Sequence, residues 1–160
     1  MLERLNRYWR VVATGFCFAM FGLGGLFIRL VVYPLLLLFT RDAERRKSAA
    51  QAVIHHSFRF FVGLMNFVGV ISYEVRHLER LDRKGLLILA NHPSLIDVVF
   101  LISLIPRADC IVKASLLRNP FTRGPIHAAG FICNSGGAQL VEDCNRSLAE
   151  GNNLIIFPEG

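Results

Sequence analysis

The chain has little cysteine. Cys17, Cys110, Cys133 and Cys144 are four in 160 residues, without metal-ligand spacing and too sparse for a disulfide framework. They read as small apolar residues of a reducing compartment, and no metal site is expected. No G-x-S-x-G stands anywhere, nor any other obvious serine or cysteine nucleophile motif, so a hydroxyl to be activated would belong to a substrate. There is no internal repeat and no low-complexity tract. Acidic residues are outnumbered, 12 against 18 lysines and arginines, for a formal net charge of +6. That sign admits nucleic acid or an anionic membrane surface. The arginines flank apolar segments instead of lining aromatic platforms, which disfavours nucleic acid.

What the chain has in excess is apolar surface. Hydrophobic residues make up 53% of it and the mean hydropathy is +0.44, more than a soluble domain of this size carries. Val11 to Ile28 holds no charge, and eighteen residues as helix reach about 27 Å, close to the hydrocarbon thickness of a bilayer. Arg29 interrupts, and Leu30 to Phe39 continues the run through Pro34. The stretch is too long for a signal peptide, and no small-x-small cleavage site follows it. Arg4, Arg7 and Arg10 flank it on one side, Arg41, Arg45, Arg46 and Lys47 on the other, so the positive-inside tendency chooses no direction for a single span. Phe58 to Ile71 is a second apolar segment. One transmembrane anchor and a re-entrant helix pair both fit. Membrane lipids are partners in either case, and the run Arg41 to Lys47 reads as an interfacial linker. His55 and His56 are adjacent, point to different helix faces and make a poor metal pair.

From Tyr73 the composition turns polar, which divides the chain into amino-terminal helices over 1–72 and an α/β domain over 73–160. Ile71 to Val75 is expected as an entering strand, with a turn at Lys84-Gly85. Leu86 to Ala90 is short and apolar enough for a buried strand. A helix starting at Pro93 or Ser94 follows and is stopped by Pro106. Cys110 to Val112 predicts a strand ending at Lys113, Leu140 to Ala149 a helix stopped by Gly151, and Asn153 to Phe157 another strand. Strands alternating with helices imply an α/β fold with a parallel or mixed sheet.

The strand-to-helix turn holds Asn91-His92-Pro93-Ser94-Leu95-Ile96-Asp97. A neutral imidazole can take a proton from an alcohol near neutral pH, and a carboxylate on its other nitrogen fixes the tautomer and stabilises the imidazolium. A surface histidine beside a helix cap has the same spacing. In this context the stretch resembles the H-x4-D motif of the lysophospholipid acyltransferase family, of the 1-acylglycerol-3-phosphate acyltransferase type. Further matches follow in order. Lys113 with Pro120 and Gly124 resembles the family's K…P…G block, Gly130-Phe131-Ile132 the segment after it, and Phe157-Pro158-Glu159-Gly160 the start of F-P-E-G-T-R.

The resemblance covers roughly residues 75 to 160. It implies a glycerolipid-acyltransferase-like sheet flanked by helices, preceded by a membrane-embedded amino-terminal helical segment. It also implies transfer of a fatty acyl group from acyl-CoA or acyl carrier protein to the hydroxyl of a lysolipid, with no tightly bound cofactor. On that reading His92 is the general base and Asp97 its orienting partner. Lys113 meets the acceptor headgroup, Arg123 is a second anion contact, and Glu159 shapes the pocket. Backbone N–H groups near Ser94 or Gly160 receive the oxyanion. The active site would face the cytoplasm, at the inner membrane in a bacterium. Two departures stand out. Cys133, Asn134 and Ser135 occupy the place where phosphatidate-forming members carry an arginine, which opens the acceptor to other hydroxyl-bearing lipids, such as an aminoacyl lipid or a polyketide-like conjugate. The chain also stops where members continue with Thr-Arg, so the domain is expected to be incomplete at its carboxyl end. An inactive, membrane-anchored interaction protein is the alternative.

Overall fold

A computed structural model describes residues 2–91, 94–134 and 136–158. The amino-terminal run is one long helix with a wide turn inside it: α1 (Leu2–Phe27), a π turn (Ile28–Val32) and α2 (Tyr33–Phe39). Pro34 sits inside this continuous helix, in the first turn after the π segment, where it has no N–H to donate to the turn before it. Asn6–Phe39 is 34 residues, with an 18-residue stretch of mean hydropathy 2.1, long and apolar enough to cross a membrane. Helix α3 (Ala43–Phe67) folds back beside it. Phe21 meets Phe58 and Phe61 at ring-centroid distances of 5.9 and 5.2 Å, and the Trp9 indole N–H donates to the Val68 carbonyl at 3.1 Å.

Two expectations are corrected here. The charged run Arg41 to Lys47 is no linker: Asp42 caps α3, accepting from the Glu44 and Arg45 backbone N–H groups at 2.9 and 3.2 Å, and the helix begins within the run. Ile71 to Val75 forms no strand. It runs over the surface without regular structure, anchored by Tyr73 against Phe100, ring centroids 4.6 Å apart.

The rest is a four-stranded parallel sheet with its helices. Strands β1 (Leu87–Leu89), β2 (Ala108–Lys113), β3 (Ile132–Asn134) and β4 (Asn153–Ile156) lie in the order β1-β4-β2-β3. They are joined by α4 (Leu95–Leu104), α5 (Pro120–Ala129) and α6 (Gly137–Ala149). The first two connections move across the sheet in one direction and the third returns. Right-handed crossovers therefore put α4 and α5 on one face and α6 on the other. The main hydrophobic cluster agrees, joining Ile102 and Ile105 of α4, Ile126 and Ala129 of α5, Cys110 and Val112 of β2 and Ile155 of β4. Ile28 of the π turn and Ile54 of α3 belong to the same cluster, so one core spans the amino-terminal helices and the sheet.

Candidate active site

A parallel sheet gathers ligand groups at the carboxyl ends of its strands, because every loop leaving that edge opens a helix or a return. Three neighbouring strands, β1, β4 and β2, end there. Leu89 pairs with Ile156, and the Ala90 N–H donates to the Ile156 carbonyl at 3.1 Å, carrying the β1–β4 pairing to the edge. The motif Asn91–Asp97 follows β1, Phe157-Pro158-Glu159-Gly160 follows β4, and Lys113 is the last residue of β2. Three segments far apart in sequence thus leave one edge side by side. His92, Glu159 and Gly160 lie outside the described residues.

Ser94 is the residue before α4, in extended geometry with φ −146° and ψ 158°. The Ser94 backbone N–H and hydroxyl each donate to Asp97 Oδ2 at 2.9 Å, which closes the first turn. Asp97 is half-buried and Ser94 exposed. Lys113 is exposed and precedes a short 3-10 turn, Ala114–Leu117. It pairs in register with Asn134 at the end of β3, so the neighbouring strand offers an amide at this edge. Arg123, also exposed, lies in the first half of α5, which starts from the same edge.

Three features escape sequence reasoning. The first is an apolar cavity of about 630 Å³ beneath this edge. Its walls come from α1 (Gly24, Phe27), α3 (Ile54, Phe61), α4 (Leu95, Val98) and the β2–α5 region (Val112, Thr122). Leu95 carries the cavity to within one residue of Ser94. The second is a buried ionic node at the opposite edge. Asp109 is fully buried and accepts from Lys47 Nζ at 2.9 Å, Gln51 Nε2 at 2.6 Å and the Ser147 hydroxyl at 2.6 Å. A charge inside the run Ala108 to Val112 was its signal, since a buried carboxylate needs partners. The third is the partner of Arg29, the Pro120 carbonyl. Among the described residues, no group of three histidine, cysteine, aspartate or glutamate side chains is arranged to hold a metal ion.

Burial, with the nearby Asp109 carboxylate, pushes the Cys110 thiol up to about 12. The Cys144 thiol is raised chiefly by burial, then by Asp143 and Asp109. Neither thiol is poised as a nucleophile at neutral pH.

Known proteins resemble this chain in sequence and fold. The chain is 31% identical over 114 residues to the 1-acyl-sn-glycerol-3-phosphate acyltransferase of Pseudomonas aeruginosa, a match covering 68% of this chain and 44% of that one. It is 29% identical over 100 residues to the Helicobacter pylori protein of the same name, covering 59% of this chain and 42% of that one. The chain therefore spans less than half the length of these curated relatives. The crystal structure of the 1-acyl-sn-glycerophosphate acyltransferase PlsC from Thermotoga maritima superposes with a TM-score of 0.61 at 20% identity, over 89% of this chain and 60% of that one, which bears on the fold alone. The model of the Acyltransferase family matches residues 72–160, more than half of the 160-residue chain, and this chain belongs to that family.

Proposed function

We propose that the chain is a membrane-associated O-acyltransferase module, moving a fatty acyl group from a thioester donor to the hydroxyl of a lysophospholipid-like acceptor. The observation that carries this reading is the apolar cavity of about 630 Å³, whose wall at Leu95 adjoins the turn held by Ser94 and Asp97. A volume in the usual range of ligand sites, roughly 300–1,000 Å³, with almost wholly apolar walls suits an alkyl chain and little else. Family membership and the names of the relatives supply the reaction class.

In the proposed step His92 takes the proton of the acceptor hydroxyl as its oxygen attacks the thioester carbonyl. The new C–O bond forms, the C–S bond breaks, and the proton held on the imidazole passes to the departing thiolate, so an ester and a thiol leave. Asp97 orients the imidazole. Backbone N–H groups near Ser94 or Gly160 receive the transient oxyanion, and Lys113 and Arg123 meet the acceptor's negative headgroup, with Glu159 shaping that pocket. The donor is acyl-CoA or acyl carrier protein. The apolar helix Asn6–Phe39 supports association with a membrane, and the site is proposed to face the cytoplasm.

The test is thiol release from acyl-CoA by the purified chain in lipid vesicles, with 1-acylglycerol 3-phosphate as acceptor. His92→Ala should abolish release while vesicle binding survives; undiminished release would overturn the assignment. One observation favours a second reading, an inactive anchored interaction protein: Asn134 stands beside Lys113 where a phosphate site would want a guanidinium. Failure of the wild-type chain to consume donor with any lysolipid would favour it.

A further inference from the structure

Arg29 is the only charged residue between Arg10 and Arg41, inside the most apolar stretch of the chain. A charge in such a stretch is costly unless it has a partner, and it marks a functional position by default. The helix widens into its π turn around this residue, a distortion frequent at functional sites. The half-buried Arg29 turns toward the α/β domain, donating from Nη1 to the Pro120 carbonyl at 3.0 Å.

Gly124 makes this approach possible. A Cβ there would stand 3.0 Å from Arg29 Cα and nearer still to its Cβ, so only glycine lets the two helices cross at this point. From Pro120 the connection runs on. The Thr122 hydroxyl donates to the Leu116 carbonyl at 2.6 Å, fastening the segment after β2 onto the first turn of α5. That segment begins at Lys113.

We infer that Arg29 is a positioning residue for acceptor binding: through the Pro120 carbonyl and the Gly124 crossing it holds the segment Lys113–Pro120 against the apolar amino-terminal helix. The inference rests on the proposed acyltransferase function, because it takes Lys113 to meet the acceptor headgroup. It also makes the orientation of the long helix a determinant of headgroup affinity, since Arg29 of that helix bonds the end of the segment at Pro120.

The experiment compares wild type, Arg29→Met, Arg29→Lys and Gly124→Ala as full chains in vesicles. Acyl transfer to 1-acylglycerol 3-phosphate and backbone hydrogen exchange over residues 114–119 are the two readouts. Arg29→Met should raise the acceptor KM roughly tenfold, the size one hydrogen bond to a charged donor commands, with kcat and the donor KM within about threefold of wild type. Arg29→Lys keeps a donor and should recover part of the loss. Gly124→Ala keeps the guanidinium but crowds the Arg29 side chain at the crossing, and should reproduce the loss. Exchange over 114–119 should quicken in Arg29→Met while β4 stays protected. An unchanged acceptor KM with unchanged exchange overturns the inference. So does a loss spread over kcat, both KM values and exchange in β4, which would mark a purely structural role. If wild type transfers nothing to any acceptor, the functional reading fails; unchanged exchange in Arg29→Met then overturns the link on its own.

Discussion

Asp97 Oδ2 accepts both the backbone N–H and the hydroxyl of Ser94, each at 2.9 Å. Both bonds fall on one oxygen, so capping the helix and the role proposed for Asp97 in orienting His92 can be separated by mutation. Ser94→Ala removes one donor and should cost about 1 kcal/mol of stability or less, with modest loss of turnover. Asp97→Ala removes the whole carboxylate and should lower kcat by roughly 10²–10⁴-fold. Thermal melts beside thiol-release rates check this. Equal turnover in the two variants would mean that Asp97 only caps α4.

The Lys47–Asp109 pair ties α3 to β2 across 62 positions of sequence. Asp109 is fully buried and Lys47 largely so, with 23% of its side chain exposed. Removing one partner leaves an uncompensated charge in the core. Lys47→Met should therefore destabilise the fold by about 3 kcal/mol or more. The double variant Lys47→Met with Asp109→Leu should recover part of that loss, because the stranded carboxylate is gone. Chemical denaturation of the micelle-bound chain gives both values, and a double variant no better than Lys47→Met would refute the account.

Much of the fold was legible because local rules agree with the tertiary outcome. Leu86 to Ala90 is an apolar run between turn signals and contains β1, but the strand ends the sheet order with Leu87 and Leu89 exposed, where a buried strand is expected; Pro106 stops α4, which ends at Leu104. Gly151, at φ +79°, terminates α6 as a left-handed glycine should. Where sequence reasoning failed, a distant partner decided. Ile71 to Val75 has strand-like residues, but a strand needs a ladder. No neighbour pairs with it among the described residues, and Tyr73 instead packs on Phe100. The run Arg41 to Lys47 looks like solvated charge until Lys47 is seen to reach Asp109. At the site, the edge where Lys113 and Asp97 lie follows from the βα alternation. The cavity does not, because its walls come from helices separated by half the chain.

That cavity makes its own prediction. Val98 lies on its wall, one turn along α4 from Leu95. A tryptophan there would occupy space that an alkyl chain needs. Val98→Trp should weaken binding of a long-chain fluorescent fatty acid by roughly a hundredfold, equivalent to about four methylenes left unburied at ~0.8 kcal/mol each. A short-chain analogue should be affected far less. Fluorescence titration of the two probes decides it, and equal weakening would mean that the cavity does not hold the chain lengthwise.

Cys110 couples the core to alkaline pH. Burial and the nearby Asp109 carboxylate push its pKa in the folded state up from the ordinary thiol value of 9.0 to about 12. A raised pKa means that the folded state holds the proton more tightly than the unfolded state. The associated stability is fully present below pH 9 and is lost as pH rises from about 9 toward 12, at up to ~1.4 kcal/mol per pH unit for one group. Wild type should therefore lose stability across that window, and Cys110→Ala should show a shallower decline despite its own packing cost. At pH 8 the native thiol should resist maleimide under conditions that label the unfolded chain. Rapid native labelling, located at Cys110 by peptide mapping, would show that the carboxylate and the packed core do not protect it.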